Sequence, residues 1–169
     1  MINPHQFTGL ILEPALRAVD MYSIDAMYQM VRGFLVESKL THIKQLPDGP
    51  ALGFGQIEWA TALDVFRYLN RRTDIRQKIL DYCERDKLPE NPRTLISDIA
   101  LNVLVARVKY WMIPEPIPSY KNPEGQAYYY ERYYNCNASV DKTQEFIRYS
   151  KEIEGWINHG IEQMDKGIS

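Results

Sequence analysis

The sequence is poor in metal-ligating and redox residues: it has two cysteines, Cys83 and Cys136, and three dispersed histidines, His5, His42 and His159, in 169 residues. With no CxxC and no histidine partner at ligand spacing, a zinc site is disfavoured, and whether the cysteines pair stays open. Charge excess is missing too. A net charge of −2 and a sequence pI of about 5.9 give no basic footprint for nucleic acid and no electrostatic steering of a ligand. Long hydrophobic runs are absent as well: MINPHQFTGLILEPALRAVDMY has no basic stretch followed by a continuous apolar core, so neither a signal peptide nor a membrane span is expected. Strand signals are scarce, and no internal repeat stands out.

What is present is apolar residues at helical spacing. With 45% hydrophobic residues in 19.8 kDa, the chain can bury one substantial core. The reading is a mainly α, single domain over 1–169, with residues 1–12 as a loose lead-in and room for one small β-hairpin between His42 and Phe54. A short helix with Pro14 at its first position is expected over 13–19. A longer one, capped by Ser23, carries Ile24, Met27, Met30, Val31, Phe34 and Leu35 up to Glu37 and Ser38. A helix capped near Thr61 covers the stretch from Ile57 to Leu69, and Thr73 caps the next. Asn91 and Pro92 open a single helix running to Trp111, whose residues Leu95, Ile99, Val103, Leu104 and Val108 make it the central buried one. Pro114, Pro116 and Pro118 then force an extended wall segment. Asn122-Pro123 restarts a helix in which Tyr128, Tyr129, Tyr130, Tyr133 and Tyr134 follow in quick succession, too many rings for all to face the core. Ser139 or Asp141 caps a last helix that buries Phe146, Ile147, Ile153, Trp156, Ile157 and Ile161.

Chemistry concentrates between Val36 and Leu69. Glu37 sits where the core-facing stripe of its helix ends. A carboxyl there is partly desolvated by Phe34, Leu35 and Leu40, which favours the neutral form a general acid needs. The following PDGPALGFG has three glycines and two prolines, a density that permits tight turns and brings backbone groups close to a polymer ligand. Gln56 is expected where that loop meets the next helix.

These residues resemble the lytic transglycosylase branch of the lysozyme superfamily, whose pattern is Glu-Ser, a variable stretch, then Gly-Ala-x-Gly-Leu-Met-Gln-Ile and a threonine. Glu37-Ser38, then Pro50-Ala51-Leu52-Gly53-Phe54-Gly55-Gln56-Ile57, then Thr61 keep that order, and Tyr133-Tyr134-Asn135-Cys136-Asn137 is similar to the family's Ala-Tyr-Asn-Ala-Gly element. Gly55, Glu58 and Asn137 depart from it. The chain as a whole looks most like small lysozyme-like proteins of tailed bacteriophages. The resemblance implies cleavage of the N-acetylmuramyl to N-acetylglucosamine β-1,4 bond of peptidoglycan, without metal or organic cofactor. It makes Glu37 the general acid and then base, has Ser38, Gln56 and Ile57 contact the sugars, and sets Tyr134 and Asn135 against Glu37. It implies glycan strands and other virion proteins as partners, and a place in the host cytoplasm before lysis or inside the virus particle.

Each candidate has a plain alternative. Glu37 could be a solvated acid in a last helical turn, and Ser38 and Gln56 ordinary capping and turn residues. Asp48 and Glu58 are the two possible second carboxylates, but Asp48 lies in an Asp-Gly turn and Glu58 at a helix start, pointing away from the face of Gln56; one competent acid then favours 1,6-anhydromuramic products. Trp59, Trp111 and Trp156 read as core rather than as sugar platforms. The rival function is a virion structural or assembly protein that keeps the fold and a sugar groove without turnover.

Overall fold

The computed structural model describes residues 2–136 and 140–166, with side chains up to 153. It is mainly helical with one two-stranded antiparallel sheet. No helix among the described residues is long and apolar enough to cross a membrane.

The N-terminal stretch corrects the expectation of a loose lead-in. Asn3 accepts from the amides of His5 and Gln6 and starts α1 (Pro4–Phe7); a π-helical segment, Thr8–Leu12, then runs into α2 (Glu13–Ala18). Phe7 is fully buried and meets Phe34 and Phe54 edge-on, with ring centroids 5.8 and 5.6 Å apart. Burying such a ring is worth roughly 1.5–3 kcal/mol. A single apolar residue among polar neighbours gave little periodicity to read, yet it fills the gap between α3 (Ile24–Ser38) and the loop that follows.

Ser23 caps α3 as expected, its Oγ accepting from the Ala26 amide at 3.0 Å. From Ala26 to Val36 every residue of α3 is buried, including Gln29 and Arg32. Gln29 Nε2 and Arg32 Nη1 are served by the chain that wraps over them. Arg32 Nη1 donates to Gln126 Oε1 at 2.7 Å and to the Tyr120 carbonyl at 3.1 Å, and Gln126 Nε2 donates to the carbonyls of Asp25 and Pro118. This network fastens the proline-rich wall segment onto α3.

The small sheet joins β1 (Ala51–Leu52) to β2 (Ile57–Glu58), Ala51 opposite Glu58 and Leu52 opposite Ile57. The hairpin therefore reaches past Phe54, and the stretch from His42 contributes one bridge, Lys44 to Leu52. Gln56 is consequently in the turn between strands, at φ 46°, and not at a loop-to-helix junction.

α4 (Trp59–Arg71) begins after Glu58, and Thr61 lies inside it; α5 (Thr73–Tyr82) follows Arg72, so Thr73 is its first residue and not its cap. The expected helix from 92 to 111 is two helices. Asp98 leaves helical geometry (φ −111°, ψ 94°), ending α6 (Thr94–Ser97), and its Oδ1 accepts from the Leu101 amide to start α7 (Ile99–Trp111). A short acid that can cap a new helix outcompetes continuation of the old one. Ile99 is only half-buried in that first turn, whereas Leu101 and Val103 to Val108 are buried. We expect Leu104→Ala to cost about 2–5 kcal/mol because Leu104 is fully buried at the centre of α7. A denaturant midpoint equal to that of the parent protein would move the core elsewhere.

Beyond the prolines, Asn122 caps α8 (Pro123–Tyr129), whose end widens into a π-helical turn, Tyr130–Tyr134. Tyr129, Tyr130 and Tyr134 are buried, Tyr133 half-buried and Tyr128 exposed. Helix α9 (Val140–Lys166) carries Asp141 in its first turn and buries Phe146 and Ile153. Asn137, Ser139 and the side chains of Trp156, Ile157, His159 and Ile161 lie outside the described residues. Cys83 and Cys136 are both free thiols; burial pushes Cys83 up to about 12.

Candidate active site

Glu37 is in the last turn of α3, its side chain 9% exposed. The helix stops there because Lys39 adopts the left-handed conformation at φ 53° and Ser38 takes over the end: its Oγ donates to the Phe34 carbonyl at 3.0 Å and accepts from the Leu40 amide at 3.2 Å. Ser38 is buried and so engaged, so the structure assigns it to helix termination and not to a ligand-facing position.

Three groups converge on the Glu37 carboxylate. The Tyr130 hydroxyl donates to Oε1 at 2.5 Å, Asn135 Nδ2 donates to the same oxygen at 3.0 Å, and Lys142 Nζ lies 3.2 Å from Oε2. Asn135 is also 3.3 Å from the Tyr130 hydroxyl. Burial first, and then the charge of Glu37, push the Tyr130 phenol far above its ordinary range, so it keeps its proton and remains a donor.

The pairing of an amide with a phenol was expected, but the phenol is Tyr130 and not Tyr134. The π-helical turn explains the exchange. Its i to i+5 spacing brings the Asn135 amide nitrogen onto the Tyr130 carbonyl at 2.9 Å, so residues five apart share a face. Tyr134 points instead at the hairpin, where its hydroxyl donates to the Gly55 carbonyl at 2.7 Å. A Cβ added at Gly55 would meet that hydroxyl at 2.9 Å and Phe34 Cε1 at 3.1 Å, which gives Gly55 a steric reason. The hairpin turn is held from below by Asn102 of α7: Oδ1 accepts from the Gly55 amide at 3.0 Å and Nδ2 donates to the Leu52 carbonyl at 3.1 Å.

Glu37 opens onto a cleft of about 510 Å³ between the hairpin and the tyrosine-rich turn. Gln56, Ile57, Tyr134 and Asn135 line it, as do Glu58, Thr61, Lys109 and Lys142. Gln56 Nε2 donates to the Gly53 carbonyl at 2.8 Å and so braces the turn. Glu58 is exposed and faces this cleft, contrary to the expectation that it points away; as a strand residue it follows the two-residue alternation of a sheet and not a helical rotation. Asp48 does not join it. Its side chain is 93% exposed and 3.6 Å from Lys44. Trp59 packs edge-on against Phe66 and is absent from the cleft wall.

Sequence reading missed Tyr130, Lys109, Lys142 and Asn102. Lys109 Nζ donates to the Tyr134 carbonyl at 2.6 Å and lies 3.9 Å over the Tyr134 ring. Burial pulls its ammonium below the ordinary lysine value, opposed by the charge of Glu37 and, more weakly, of Cys136 and Glu58. The signal available for Lys109 and Asn102 was a polar residue inside an apolar helix. For Lys142, on a helix whose polar face is rich in charges, there was none. Among the described residues no group of three or more His, Cys, Asp or Glu is placed to hold a metal ion.

No protein-family model, curated protein or solved structure matches the chain.

Proposed function

We propose that the chain is a lysozyme-like enzyme that cleaves the N-acetylmuramyl to N-acetylglucosamine β-1,4 linkage of peptidoglycan, acting as a lytic transglycosylase. The observation that carries the reading is a nearly buried carboxylate, Glu37, fixed through one oxygen by Tyr130 and Asn135 on the wall of an open cleft. With Oε1 fixed by these two donors, Oε2, whose one hydrogen-bonding neighbour among the described residues is the half-exposed Lys142, is the oxygen that serves the reaction. Protonated Glu37 gives its proton to the glycosidic oxygen as the C1–O bond breaks, and the sugar passes through an oxocarbenium-like state. The muramic 6-hydroxyl then bonds to C1 while Glu37 takes back its proton, so one residue serves as acid and base and no water is consumed. The backbone of the hairpin turn and the side chain of Gln56 support binding of the sugars, in keeping with the transglycosylase-like order of Glu37-Ser38 and Gln56-Ile57.

Lys142 has a supporting part in this scheme, stabilising the carboxylate that forms when the proton leaves. Lys142 is 38% exposed, so solvent screens the pair. Lys142→Met is accordingly expected to slow turnover only about two- to fivefold, with an unchanged melting midpoint; a variant as fast as the parent would remove Lys142 from the reaction.

A second reading rests on Glu58, which faces the same cleft and would let a two-carboxylate hydrolase use water as the nucleophile. Mass spectrometry of digested murein separates the two. Muropeptides lighter by one water are the expected products. Exclusively reducing ends, lost in Glu58→Gln, would replace the transglycosylase by the hydrolase, and pelleting with murein without any cleavage would leave a binding protein.

A further inference from the structure

A second pocket of about 370 Å³ lies at the opposite end of α3 from Glu37. Asp25, which lines it, is twelve residues from Glu37 along that helix, about 18 Å at the helical rise. Arg107 of α7 also lines this pocket and is only 6% exposed. Its Nε donates to the Met21 carbonyl at 3.0 Å, which helps fix the plane of the guanidinium, and among the described residues Nη1 and Nη2 make no hydrogen bond. Among the described residues no carboxylate pairs with it, and the titratable groups it feels are the phenols of Tyr129 and Tyr110. Burial lowers it to about 10, so it still carries its charge at neutral pH. A buried, charged guanidinium with no carboxylate partner among the described residues is costly to keep, and its end-on edge fits a carboxylate in two parallel hydrogen bonds.

The rest of the pocket narrows the class of carboxylate. Trp111, 42% exposed, lies with its ring centroid 5.1 Å from the guanidinium carbon, and Ile113, Pro116 and Tyr129 complete an apolar wall. Asp25 and Glu115 line the same space, so a ligand with a second negative charge is disfavoured and N–H donors are favoured. Asp25 is already tied on one side, its Oδ1 accepting from the Tyr120 amide at 2.7 Å. One carboxylate, backbone N–H groups and a small apolar side chain together describe the C-terminal end of a polypeptide.

We propose that this pocket captures the C-terminal carboxylate of a partner protein ending in apolar L-residues, with Arg107 holding the carboxylate and Trp111 the last side chain. The inference does not depend on the chemistry at Glu37. The test is titration of the full chain with acetyl-L-Ala-L-Leu, with the same peptide as its C-terminal amide, and with a peptide ending in D-Ala-D-Ala, followed by the indole N–H resonances in NMR and assigned with Trp111→Phe. The free acid should shift the Trp111 resonance and bind at least about tenfold more tightly than the amide, the loss expected for one charge-assisted pair. Arg107→Lys, which keeps the charge but not the fork, should weaken the free acid to a similar degree; if it fails to fold, Trp111→Ala at the exposed wall should weaken the free acid as well. Equal binding of acid and amide, no binding of either, tighter binding of the D,D-terminated peptide, or unchanged affinity in the folded variants would each overturn the proposal.

Discussion

Glu37→Gln is expected to lower turnover of purified murein by about 10²–10⁴-fold, the range supplied by a positioned general acid, and to leave the melting midpoint almost unmoved. Glutamine keeps the length and shape of the side chain, and its carbonyl can still accept from the Tyr130 hydroxyl and Asn135 Nδ2, which hold Oε1 in the parent. What it cannot do is deliver a proton to a leaving oxygen and take one back. The one structural loss is the ion pair to Lys142, and that lysine is exposed enough for water to compensate. Activity and stability are therefore predicted to separate. Clearing assays run beside circular dichroism melts make the comparison, and equal clearing by parent and variant would strike Glu37 from the reaction.

Much of this site was legible because its parts are local in sequence. Ser23 and the apolar stripe define α3, and the stripe's end places Glu37; Asn122-Pro123 and the three prolines before it bound α8 in the same way. Periodicity failed where one residue changed the backbone's course. Asp98 divided a helix that reads as continuous, and the π-helical turn at Tyr130–Tyr134 rotated the tyrosines so that Tyr130 took the place expected of Tyr134. The hairpin was mislaid for a related reason: Gln56 at positive φ closes a turn that its own side chain braces, a conformation that no composition signals. Long-range partners were the least legible. Lys142 reaches Glu37 across 105 residues of sequence and Asn102 reaches Gly55 across 47, and only packing of the helices makes either pair neighbours.

Asn102→Ala is expected to destabilise the protein by about 2–5 kcal/mol and to cut activity with it, because it strips both hydrogen bonds that hold the hairpin to α7. The Leu52 carbonyl and the Gly55 amide are buried against Asn102, and each would lose a partner that water does not readily replace; a buried group left unpaired costs about 1–3 kcal/mol. There is no easy repacking. Gly53 sits at φ 69° with its would-be Cβ position 2.1 Å from Asn102 Nδ2, so the turn is built around the asparagine and its removal opens a hole beside the backbone. The turn carries Gln56 and leads directly into Ile57 and Glu58, all of them on the cleft wall opposite Glu37. Tyr134, which donates to the Gly55 carbonyl, would lose its fixed partner as well, and through the same π-helical turn Tyr130 and Asn135 would be free to drift from Glu37. The coupled loss distinguishes this variant from Glu37→Gln, where only activity falls. Asn102→Asp separates the two bonds: it can still accept from Gly55 but no longer donates to Leu52 and adds a buried charge, so it should be at least as unstable as the alanine. Chemical denaturation read alongside hydrogen exchange at the Gly55 amide makes the measurement, and a variant with parental stability and a still-protected Gly55 amide would show that the hairpin is held by other contacts.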